Sequence, residues 1–131
     1  MSTPKNKLYL SRFKKHVCDT RKHLNESDYV QASEKIWGAM SSLVNAESLN
    51  EITGMRGKKE AFENLYRRLC VKYGHLRKVL TDCHFKDAYH LATMAEGLHL
   101  YFFGGRSYPD HYILTVVEDC VKVFEEVEKV L

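Results

Sequence analysis

Proline and glycine are scarce in this 131-residue chain, two and seven respectively, which excludes collagen-like and low-complexity classes. Long hydrophobic runs are missing as well. The best apolar stretch, Tyr112 to Val117, is interrupted by Thr115, far short of the roughly 18 apolar residues a membrane-spanning helix needs. Met1 to Lys7 is polar and basic with no apolar run behind it, so no secretory signal is expected and a cytoplasmic setting is the default. Cys18, Cys70, Cys83 and Cys120 stand singly, without the close pairs of a zinc knuckle or redox motif. They are expected to be reduced core residues rather than disulfides. No two of the seven histidines have the four-residue spacing of a zinc protease helix, and no glycine-rich phosphate loop follows a strand. Neither a metal nor a cofactor is therefore expected.

What is present is helical periodicity. Five segments repeat apolar residues at three and four, and none alternates as a strand. The first runs from Lys7 to Leu24 through Leu10, Phe13 and Val17, leaving residues 1–6 as a tail. The second opens at Ser27 or Asp28, where Asp28 and Gln31 have capping-box spacing, and continues through Ala32, Ile36, Ala39, Met40 and Leu43. Gly54-Met55-Arg56-Gly57 connects to a third, striped by Phe62, Leu65, Tyr66, Leu69, Tyr73, Leu76 and Leu80. Gly74 inside it costs about 1 kcal/mol against alanine, so the helix bends there or a neighbouring backbone comes close. A fourth starts near Asp82 and ends at Gly104-Gly105; a fifth starts after Ser107, its expected cap, and continues to Leu131. Amphipathic helices with short connections pack as antiparallel neighbours, so the expected fold is all-α, a single up-and-down antiparallel bundle of four to five helices.

The small net charge of +3 conceals blocks. Met1–Leu24, Asn25–Met55, Arg56–Lys86 and Asp87–Leu131 carry +6, −4, +6 and −5. The first and third segments are basic, and Lys15, Lys22, Arg67, Arg68 and Lys78 point away from the apolar stripes. Such a surface suits phosphate backbones. The plainer alternative is that these cations solvate the bundle or pair with its acidic helices.

The most informative stretch is Tyr101-Phe102-Phe103-Gly104-Gly105-Arg106-Ser107-Tyr108-Pro109-Asp110-His111-Tyr112. Histidine shuttles protons near neutral pH, and arginine grips phosphate and stabilises charge growing on it. Arg106 and His111 could thus cleave RNA without metal, the RNA's own 2′-hydroxyl being the nucleophile. The plainer reading is a loop arginine and a first-turn histidine beside helix-capping residues. The aromatic cluster could stack bases, although at helical spacing part of it belongs to the core.

Three stretches carry a resemblance: Asp28 to Ala39, Ala88-Tyr89-His90-Leu91-Ala92, and Leu98 to Gly105. On these the chain resembles the HEPN superfamily, and within it the small archaeal PaREP proteins. The resemblance implies a HEPN-like helical bundle, commonly a homodimer, that binds RNA or nucleotides. In active relatives an Arg-x4-6-His motif at the start of the last helix makes a metal-independent endoribonuclease, often a toxin with an antitoxin-type partner; Arg106 and His111 match it. This chain departs from the motif in Ser107, where active relatives have asparagine, and in Pro109 between the pair. The alternative implied by motif-less relatives is a noncatalytic interaction or assembly module. A tetratricopeptide-like scaffold fails, because no second copy appears about 34 residues on.

Overall fold

Six helices make up the computed structural model, which describes residues 3–48, 51–105 and 107–131. They are α1 (Pro4–Asn25), α2 (Tyr29–Glu47), α3 (Met55–Lys72), α4 (His75–Asp82), α5 (Ala88–Phe102) and α6 (Asp110–Val130). No strand occurs among the described residues, as the missing alternation requires.

Helix α2 organises the bundle. Between Ala32 and Ala46 it exposes no residue, its apolar and small polar side chains being covered by neighbours on several sides. It packs against α1, α3, α5 and α6. Small side chains permit this, and the tightest approach is at Gly38. A Cβ there would lie 3.0 Å from the His16 ring of α1, so glycine inside α2 is explained by the imidazole laid across it. The aromatic centre lies elsewhere, where Phe124 of α6 meets Phe13 of α1 edge-on at 5.8 Å and Phe62 of α3 at 6.1 Å. Both contacts have the edge-to-face geometry that aromatic quadrupoles favour.

The helix ends differ from the sequence expectation in ways with physical causes. Helix α1 begins at Pro4, taking in half of the expected tail, because Thr3 and Asn6 form a capping box and proline suits the first helical position. Asn6 also donates to Ala46 O and Lys5 to Ser48 O at 2.8 Å, which satisfies carbonyls at the end of α2. Asp28 caps α2 by accepting from Gln31 N at 3.2 Å. The expected third helix is two, which raises the count from four or five to six. Tyr73 leaves helical geometry at φ −127°, ψ 81°, while Gly74 is itself helical and has open space around it. The bend, not a close approach, is what the Gly74 position accommodates. The buried Tyr66 hydroxyl then ties the halves together, donating to Leu76 O at 2.6 Å. Helix α5 starts at Ala88 rather than near Asp82, because Asp87 caps it through His90 N at 2.7 Å. Helix α6 starts at Asp110 with Pro109 at the cap position, so Ser107 is not the cap.

Three of these ends share one device, the Schellman motif. Ser27, His84 and Gly104 adopt φ of 57°, 70° and 75°. In each, the next residue donates back five positions: Asp28 to His23 O, Phe85 to Leu80 O and Gly105 to Leu100 O, at 2.8, 2.9 and 2.9 Å. Only the last uses glycine.

Charge blocks expected on solvent faces are partly spent inside the bundle. Arg21 of α1 bonds both oxygens of Glu125, at 3.0 and 2.7 Å, and Glu118 at 2.7 Å, both on α6. Hydrogen bonding to Glu125 is the main reason its pKa rises further above the ordinary arginine value. All four cysteines are free; Cys70, Cys83 and Cys120 are buried, but Cys18 is exposed, facing away from the core because the stripe of α1 runs through Phe13, Val17 and Leu24.

Two predictions follow from local strain. Ser27→Gly relieves a left-handed residue, partly offset by glycine's unfolded-state entropy, and raises stability by about 0.5–1 kcal/mol in a urea titration. His16 has its pKa held below the usual 6.5, chiefly by burial and then by Lys35, and its Nδ1 is buried with no hydrogen-bond partner. Below pH 6.5 the unfolded chain therefore takes up the His16 proton before the folded one does. Stability should fall as pH drops from 7 towards 5, and His16→Ala should flatten that part of the profile.

Candidate functional site

The junction between α5 and α6 gathers the residues that the sequence singles out. Helix α5 stops because Gly104 supplies the left-handed residue, and the chain turns through Ser107 and Tyr108 to Pro109, whose fixed φ of −62° launches α6. His111 follows on the first turn and is exposed; its carbonyl accepts from the Thr115 hydroxyl at 2.9 Å. Arg106 lies outside the described residues.

Tyrosines flank this turn. The rings of Tyr101 and Tyr108 lie 6.2 Å apart and those of Tyr108 and Tyr112 5.1 Å apart, tilted by 40° and 37°. They form a ladder across the α5–α6 seam, above a cavity of about 140 Å³ lined by Met94, Gly97, Leu98, Tyr108 and Tyr112. Tyr101 and Tyr108 are half-buried and Tyr112 is exposed. The cluster is therefore both packing and surface.

Beside the end of α5 stands a second constellation that sequence reasoning missed. His99 Nδ1 lies 2.9 Å from Glu34 Oε2 of α2. Its ring stacks on Trp37 at 5.1 Å and 25°, and Phe103 meets it edge-on at 4.9 Å. Lys58 Nζ is 5.7 Å from the Trp37 ring, within cation–π range. A carboxylate fixing one imidazole nitrogen is the arrangement that sets a histidine's tautomer and orientation. Glu34 and His99 are 65 residues apart, and no spacing rule joins them.

The basic residues expected to meet phosphate are all exposed: Lys15 and Lys22 on α1, Arg67 and Arg68 on α3, and Lys78 on α4 rather than on a continuous third helix. They are not equally available. Lys15 bonds Asp19 at 3.2 Å, and Arg67 lies 3.8 Å from Glu63. Lys22, Arg68 and Lys78 have no ion-pair partner among the described residues. Lys59, which the charge count treats as part of the same block, is instead bound to Glu96 at 3.0 Å, and that bond raises its pKa.

Among the described residues no group of three or more His, Cys, Asp or Glu side chains is placed to hold a metal ion. Burial pushes the thiols of Cys70, Cys83 and Cys120 up, which keeps them protonated and poor ligands. No helix among the described residues is long and apolar enough to cross a membrane.

Fold and surface together define a helical bundle with a tyrosine cluster at the α5–α6 junction and exposed cations on α1, α3 and α4. Residues 8–121 match the profile of the archaeal PaREP1/PaREP8 family, and the chain belongs to that family. No curated protein and no solved structure matches it.

The Glu34–His99 bond is open to a direct test. Glu34→Ala should cost about 1–2 kcal/mol of stability, and much less when His99 is already leucine, as a thermodynamic cycle over the four proteins would measure.

Proposed function

We propose that this protein is an RNA-binding member of the HEPN superfamily, an up-and-down bundle acting as a homodimer in the cytoplasm, with metal-independent endoribonuclease action at Arg106 and His111. The observation that carries the reading is an exposed imidazole on the first turn of α6, beside a ladder of three tyrosine rings. An imidazole at the surface is within reach of a substrate and is the side chain suited to general acid–base work, and aromatic rings at a surface stack unpaired bases. Support also comes from Lys22, Arg68 and Lys78, which are exposed and lack ion-pair partners among the described residues, so a phosphate backbone meets them without displacing a carboxylate. In this scheme His111 moves the proton of the RNA 2′-hydroxyl, and Arg106 stabilises the pentacovalent phosphorane. The toxin-like role of such an enzyme would bring an antitoxin-type protein partner.

A noncatalytic interaction or assembly module is the second reading. It is favoured by apolar side chains left in water, Phe103 at 68% exposure and Val71 at 79%.

The readings separate in solution. Affinity for single-stranded RNA should fall steeply with salt, and replacing Arg67, Arg68 and Lys78 by glutamine should flatten the log–log slope by about 2. RNA cleavage in excess chelator should drop at least about 100-fold in His111→Ala. Intact RNA after incubation with the unaltered protein removes the enzyme, and salt-independent or absent binding leaves the interaction module.

A further inference from the structure

The break at Tyr73 has a consequence for charge. On a continuous helix Arg67 and Arg77 would sit about 15 Å apart along the axis. With the helix broken at Tyr73, both line one cleft between α3, α4 and the start of α5, together with Lys86. The cleft encloses about 420 Å³, within the range of small-molecule sites. Its floor is Tyr66, Cys70, Leu80 and Ala88, all buried.

The cations at its rim are less tightly paired than others in this protein. Arg21, Lys59 and Arg56 each bond a carboxylate at 3.0 Å or less. Arg77 and Lys86 have no ion-pair partner among the described residues, and Arg67 makes only a long ion pair with Glu63, at 3.8 Å. Glu63 and Asp87 also line the cleft, so three cations stand against two carboxylates there; the Asp87 carboxylate accepts from His90 N at 2.7 Å as the cap of α5. The cleft thus has a rim of net charge +1, with two unpaired cations, over an apolar floor. The larger groove beside α6, about 800 Å³, is lined by Asp82, Glu125, Glu126 and Glu128 against Lys14, Lys122 and Lys129, and would repel an anion.

We infer that the Arg67–Arg77–Lys86 cleft binds a phosphate monoester, its dianionic head among the three cations and a compact apolar or aromatic body against Tyr66, Cys70 and Leu80. A monoester carries close to two charges at neutral pH, whereas the phosphodiester within an RNA chain carries one, so the two unpaired cations Arg77 and Lys86, with Arg67 only loosely held, favour a terminal phosphate. Free small molecules and the phosphorylated 5′ end of an RNA both present this chemistry. The polymer source rests on the RNA reading above; the small-molecule source does not.

Phenyl phosphate is the probe, titrated calorimetrically into the full-length protein. Expected is saturable binding that phenol does not reproduce, weakened about tenfold or more by Arg77→Gln and by Lys86→Gln, which are exposed and should leave the melting temperature unchanged. Binding should also weaken below about pH 6, where the ligand's dianion takes up a proton and becomes a monoanion. Arg68→Gln with Lys78→Gln should leave phenyl phosphate binding unaltered, which separates this cleft from the general basic face. A 5′-phosphorylated RNA losing affinity in Arg77→Gln while its 5′-hydroxyl counterpart does not would identify the polymer as a source; sensitivity confined to phenyl phosphate would identify the free molecule. No saturable binding at millimolar phenyl phosphate, or equal binding by the Arg77 and Lys86 variants, overturns the proposal. Either failure leaves the salt-dependent RNA affinity to be judged by itself.

Discussion

The enclosure of α2 is the constraint on which the other helices depend, because a helix with no exposed residue from Ala32 to Ala46 must be surrounded before it is stable in water. Four helices supply that surround, and α1 is the most extensive of them. Its His16 ring occupies the space a side chain at position 38 would take. Burial in that seam holds the imidazole's pKa down, so packing and protonation are coupled at one contact. The carbonyls at the far end of α2 are answered from the same neighbour, through Lys5 and Asn6.

The elements buried by apolar periodicity were legible in the chain, and their ends were legible only where the residue type announced the geometry. Gly104 marks the end of α5 because glycine is the usual occupant of a left-handed cap. Ser27 and His84 take the same conformation without advertising it. The stripe from Phe62 to Leu80 likewise continues unbroken across Tyr73, since the residues on both sides of the bend still face the core. Periodicity reports burial, and a bend that preserves burial leaves no trace in it.

The candidate site was legible to the extent that it is local. His111, Tyr108 and Tyr112 fall in one short stretch, and the tyrosine ladder follows from their neighbourhood. Contacts between distant segments were not legible. Glu34 and His99 meet across α2 and α5, and Arg67, Arg77 and Lys86 meet because two bends bring three segments together. Charge blocks misled in the opposite direction, since Arg21 and Lys59 belong to basic segments yet are consumed by Glu118, Glu125 and Glu96. Net charge per segment counts such cations as free until the partners are known.

The outward position of Cys18 on α1 has a practical side. With the other three sulfurs shut inside the bundle, a maleimide dye would attach to one defined point on the folded molecule. That point lies on the same helix as Lys15 and Lys22, giving a built-in reporter for whatever comes to rest against that flank, without engineering the chain.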